Sequence, residues 1–89
     1  MTRAVEVTVS GQVQGVSFRA YAAQEAVRLE LVGWVRNEPD GSVRAHLEGA
    51  PPAVSELLEW CASGTPAAQV EDVSTQPAEV TEARGFQAD

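Results

Sequence analysis

Along this chain the spacing of apolar residues switches repeatedly between a period of two and a helical period, and the order of those switches restricts the fold more than any other feature. Val5, Val7 and Val9 alternate with Glu6, Thr8 and Ser10, as a strand with one buried face requires. A polar stretch with two glycines follows, GQVQGVS from Gly11 to Ser17. Phe18, Ala22, Ala26 and Leu29 then recur at helical spacing, with Tyr21 beside them and Gly33 expected as the cap or turn that ends the region. Trp34 and Val35 begin a second apolar run in GWVRN, Gly33 to Asn37, and the period of two returns where Val43, Ala45 and Leu47 alternate with Arg44, His46 and Glu48. EPDG between these runs predicts the turn of a hairpin. Pro51 and Pro52 suit a helix start, and Val54, Leu57, Leu58 and Cys61 lie on one helical face before Gly64 stops the run. AAQVEDVSTQP predicts a fourth strand over Val70 to Gln76, and ARGFQ a frayed edge strand anchored by Phe86.

The order is therefore β, α, β, β, α, β. Two helices with one apolar stripe each cannot bury both stripes against one another, so both pack on one face of an antiparallel sheet. The predicted class is α+β, a ferredoxin-like βαββαβ sandwich. At 89 residues the chain has room for one such domain, 1–89. With 44% hydrophobic and 21% charged residues it is too apolar and too evenly mixed for a disordered segment. This fold hosts many functions, so function must come from the site.

Charge narrows the functional classes. Thirteen acidic residues against six basic ones give −7, which repels phosphate backbones and anionic lipid, so nucleic-acid and membrane partners are not expected. An anionic ligand has to be captured locally. All six basic residues are arginines, whose planar guanidinium bonds two phosphoryl oxygens at once. Cys61 is the single cysteine, which rules out an internal disulfide, and MTRAVEVTVS carries no apolar signal region. A cytoplasmic monomer is expected.

The local captor is sought where a glycine-bearing loop runs from a strand into a helix. Such a loop turns successive backbone N–H groups into one concavity, and the helix start adds partial positive charge. Gln14, Gly15, Val16, Ser17 and Phe18 form that segment, with Arg19 at its rim. Spacing alone does not separate this from an ordinary structural turn.

GQVQGVSFR, Gly11 to Arg19, resembles at every position the first acylphosphatase signature, G-x-V-Q-G-V-x-F-R. GWVRNEPDGSVRAHLEG, Gly33 to Gly49, is similar to the second: G-aromatic-V-R/K-N, three residues, G-x-V, five residues, G. GTPAAQV, Gly64 to Val70, resembles the segment usual before that family's fourth strand, and only the end departs, with Gln87, Ala88 and Asp89 after Phe86. The resemblance implies the same fold and an enzyme that hydrolyses acyl phosphates to a carboxylate and inorganic phosphate. It implies that Arg19 binds the phosphoryl group, that Asn37 orients the attacking water, and that no metal or cofactor is needed.

The remaining chemistry-bearing residues have plainer readings. Alternation puts His46 with Arg44 and Glu48 on the strand face away from the apolar one, without the three or four convergent ligands of a metal site. Cys61 reads as a small core residue, and Trp34 and Trp60 as packing. The rival reading is a non-catalytic ferredoxin-like module that binds carbamoyl phosphate, a protein or RNA. Against RNA, VEVTVS and SVRAHLE offer no aromatic residue for base stacking.

Overall fold

A computed structural model describes residues 1–15, 17–81 and 83–89. Its elements are β1 (Arg3–Gln12), α1 (Phe18–Arg28), β2 (Val32–Asn37), β3 (Val43–Gly49), α2 (Pro51–Ser63), β4 (Gln69–Pro77) and β5 (Phe86–Ala88). The strands form one sheet in the order β4-β1-β3-β2-β5. The first four pair antiparallel, as predicted, and β5 adds a parallel edge to β2.

One face of the sheet carries the core. Val5, Val7 and Val9 of β1, Val35 of β2, and Val43, Ala45 and Leu47 of β3 are buried with Phe18, Ala22 and Ala26 of α1 and Val54, Leu57 and Cys61 of α2. Both helices therefore lie on the side that the alternation selects. Phe18 meets Trp60 with ring centroids 5.1 Å apart, which ties the start of α1 to the end of α2.

Gly33 lies inside β2 and does not cap α1. Leu29 takes the cap position, its N–H bonded to the Glu25 carbonyl, and Glu30 makes the left-handed turn at φ 59°. Gly33 has φ 136°, and a Cβ there would stand 1.8 Å from the His46 carbonyl oxygen. The close passage of β3 demands the glycine at this point.

The second face is partly covered by chain. Between β4 and β5 the backbone must cross from one sheet edge to the other. Ala78 donates to the Ala4 carbonyl, Thr81 to the Glu48 carboxylate, and the Gly85 carbonyl accepts from Gly33, so the connection is fastened to β1, β3 and β2 in turn. Among the described residues, no helix is long and apolar enough to cross a membrane.

Candidate active site

Beyond the Ser10–Gly11 irregularity in its pairing with β4, β1 ends at Gln12 and the chain passes to Val13, which is buried. Gly15 follows at φ 78° with nothing within 4 Å of where a Cβ would be, so this side of the loop is open. Ser17 occupies the cap position of α1 but sits in the left-handed region, φ 62°, and its side chain makes no cap hydrogen bond. A serine cap ordinarily adopts extended backbone and covers first-turn amides with its hydroxyl. Here the cap leaves those amides, Phe18, Arg19 and Ala20, unblocked at the positive end of the helix. The rings of Phe18 and Trp60 anchor the turn from below. Val16 lies outside the described residues.

Asn37 arrives from the hairpin. Gly33 and Val35 face the helices, and the same alternation places Asn37 on that face at the last position of β2, beyond the core. The following turn closes with Gly41 N–H on the Glu38 carbonyl, 3.1 Å, and Glu38 N–H on the Ser42 carbonyl, 2.8 Å. Asp40 accepts from the Ser42 amide at 2.9 Å and hydroxyl at 2.6 Å, and these bonds hold its carboxyl below the usual range.

A cavity of about 380 Å³ opens between the two segments, lined by Val13, Gly15, Ser17, Phe18, Arg19, Ala20 and Asn37. It brings together Arg19, Asn37 and three of the loop residues. Gln14 is not among its walls; its side chain turns to the hairpin and donates to the Glu38 and Ser42 carbonyls. Arg19 donates through Nη1 to the backbone carbonyl of Asp89, so the chain after β5 reaches the rim of the cavity. Val13 and Ala20 are walls that the sequence reading missed. Both adjoin the glycine-loop segment, one on either side.

A buried polar cluster lies on the opposite face of the sheet. His46 and Glu48 are only 4% and 1% exposed, because the crossing connection and Trp34 cover them. His46 donates through Nε2 to Glu48 Oε2 at 2.5 Å, and that oxygen also accepts from the Thr81 amide at 3.0 Å and from the Thr81 hydroxyl. Glu6 and Arg44 pair at 2.5 Å alongside. Burial pushes the Glu48 carboxyl up, but the bonds from Thr81 and His46 outweigh it and leave it below its ordinary value of 4.5. Ionised Glu48 therefore contributes stability above pH 4.5 that disappears as pH falls through the folded-state value. Glu48→Gln is expected to cost about 1.5–3 kcal/mol at pH 7, the scale of hydrogen bonds to a charged group. In denaturant titrations the gap between native and variant narrows as the pH falls below 4.5; a constant gap would mean that the carboxylate charge contributes nothing.

The remaining residues outside the cavity have structural roles. Cys61 is buried and its thiol is pushed up to about 12, which leaves it un-ionised and unreactive at neutral pH. Among the described residues, no group of three or more His, Cys, Asp or Glu side chains converges as metal ligands would. Trp34 does bring an aromatic ring to the second face, but it is stacked on His46 and covered by the Arg36 guanidinium, 4.5 Å from the ring centroid.

The acylphosphatase family model matches residues 5–88. An acylphosphatase from a Nocardioides species is 58% identical over 76 residues, spanning 85% of this chain and 77% of that protein. Among solved structures, an acylphosphatase from Coxiella burnetii superposes with a TM-score of 0.95 at 35% identity, covering 99% of this chain and 93% of that one. One from Bacillus subtilis gives 0.94 at 32% identity, covering 100% and 99%. With both signatures meeting at one cavity on this sheet, and with relatives alike over nearly its whole length, the chain belongs to the acylphosphatase family.

Proposed function

We propose that this acylphosphatase binds the phosphoryl group of an acyl phosphate in the cavity between the loop and the hairpin, and directs a water at its phosphorus. The observation that carries the reading is that Arg19, the start of α1 and Asn37 all line that one cavity. The amides of Phe18, Arg19 and Ala20 and the Arg19 guanidinium supply donors for the three equatorial oxygens, where the charge of a loose phosphoryl-transfer transition state resides. The acyl oxygen leaves as a carboxylate whose conjugate acid has a pKa of about 4, so it needs no proton from the protein. The P–O bond to the acyl group breaks with its electron pair on that oxygen, and the bond from water to phosphorus forms.

Asn37 holds the water through its carboxamide oxygen. A neutral amide is no useful base, so the water's proton passes to a phosphoryl oxygen, and the products are a carboxylate and inorganic phosphate. Arginine and backbone amides do the neutralising that a metal ion would otherwise do, and the reading assigns the protein no cofactor. With a charge of −7, it acts on a small molecule as a cytoplasmic monomer, apart from nucleic acid and membranes.

The test is the loss of ultraviolet absorbance of benzoyl phosphate in the presence of a metal chelator. Hydrolysis well above the spontaneous rate and indifferent to the chelator is expected. A rate equal to the spontaneous one would replace the enzyme with a binding module.

A further inference from the structure

Gln14 lies between the two halves of the cavity and belongs to neither. Its amide nitrogen carries two protons and spends both on the hairpin turn, donating to the Glu38 carbonyl at 2.8 Å and to the Ser42 carbonyl at 2.9 Å. Those carbonyls stand at the two ends of the turn, and each also accepts one of the backbone bonds that close it. Glu38 directly follows Asn37, and Gly15, the first residue of the loop to line the cavity after Val13, directly follows Gln14. The side chain is half-buried, where hydrogen bonds hold geometry better than at a solvated surface.

We infer that Gln14 is a positioning residue which sets the distance between the phosphate cradle and the carboxamide of Asn37. It touches neither phosphate nor water. Its two bonds lock the strand end that carries Asn37 onto the loop that carries the amides, so that a water held by one half lies in line with a phosphoryl group held by the other. Each half keeps its own local geometry without Gln14: the cradle is fixed by Phe18 packed on Trp60, and the turn by its backbone bonds and Asp40. Among the described residues, what Gln14 adds is their relation. The inference rests on the proposed roles of Arg19 and Asn37.

The test compares the full chain with Gln14→Ala and Gln14→Glu, measuring kcat and KM on benzoyl phosphate, the inhibition constant of inorganic phosphate, and the pH dependence of kcat. For Gln14→Ala, kcat is expected to fall about 10- to 100-fold, the scale of an ångström-level misplacement. Phosphate inhibition should stay within about threefold, because the cradle itself is intact. Gln14→Glu turns a carboxylate toward two carbonyl oxygens. Its kcat relative to the native chain should be lowest at neutral pH and rise on acidification, as protonation restores one donor. Glu38 and Asp40, the other carboxyls of the turn, are common to all three proteins, so a ratio that changes with pH reports the substituted side chain.

An unchanged kcat in Gln14→Ala overturns the inference, and so does an equal loss of kcat and phosphate affinity, which would place Gln14 on the phosphate. A flat pH ratio for Gln14→Glu also overturns it, and this profile decides alone if the alanine variant folds poorly. Failure of the underlying reading has a different signature, phosphate inhibition that survives Arg19→Ala.

Discussion

Arg19→Ala is expected to lower kcat/KM on benzoyl phosphate by about 10²–10³-fold and to remove competitive inhibition by inorganic phosphate. The magnitude follows from the loss of a preorganised donor at a developing oxyanion, roughly 2.7–4 kcal/mol. It lies at the upper end here because the net charge of −7 leaves the cavity dependent on this guanidinium to attract an anion. Arg19→Lys keeps the charge and loses the planar fork, so it recovers part of the affinity and less of the rate. Truncation also removes the bond to the Asp89 carbonyl, which lies at an exposed position. The melting temperature without phosphate should consequently move little. Phosphate inhibition that survives in Arg19→Ala would transfer anion binding to the loop amides alone.

Asn37→Ala gives the opposite pattern. Its kcat should fall about 10²–10³-fold, because an unaimed water forfeits much of the advantage of a positioned one, while phosphate inhibition stays within a few-fold. Asn37 is exposed at the end of its strand and makes its backbone pairing with Val43, so the fold tolerates the change. Asn37→Asp separates the two contributions further. It retains the accepting oxygen but sets a negative charge beside the phosphoryl group, so phosphate binding weakens where Asn37→Ala leaves it intact. If both variants lost rate and affinity in equal proportion, Asn37 would be a second phosphate ligand.

The frame of the molecule was legible because the apolar core lies on one face of its strands. Val5, Val7 and Val9, and Val43, Ala45 and Leu47, each announce their orientation through alternation, and the Pro-Asp-Gly turn connects the hairpin as read. Gly33 illustrates what alternation cannot carry. The glycine was visible, but the backbone that excludes a Cβ there belongs to His46, thirteen positions on, and only the assembled sheet brings it close. The same holds for His46 and Glu48. Their face was assigned correctly, yet the segment that buries them, between β4 and β5, has no periodic pattern and owes its path to the need to reach the far edge. That path also makes β5 run parallel to β2 and the sheet mixed.

The cavity was legible in outline for a different reason. Gly15, Ser17, Phe18 and Arg19 fall within five consecutive positions, so a motif reveals them together, whereas Asn37 needed a second motif to be linked to them. Gln14 belongs to the first motif by position and to the hairpin by its hydrogen bonds. A side chain's direction out of an irregular loop is set by tertiary partners, which residue spacing does not encode.

The contact between Arg19 and Asp89 bears on how the protein can be handled. Met1 and Thr2 are exposed ahead of β1, and the ten residues of that strand carry the chain about 30 Å, from its pairing at Gly49 to the loop beside the cavity. An affinity tag, dye or resin joined ahead of Met1 hangs from the end of the molecule remote from the site. The same attachment after Asp89 starts next to the Arg19 guanidinium at the rim of the cavity, where it crowds the mouth and competes for Arg19. Immobilised through its amino end the protein keeps an open cavity, and a biosensor for acyl phosphates built on this scaffold should be grafted there.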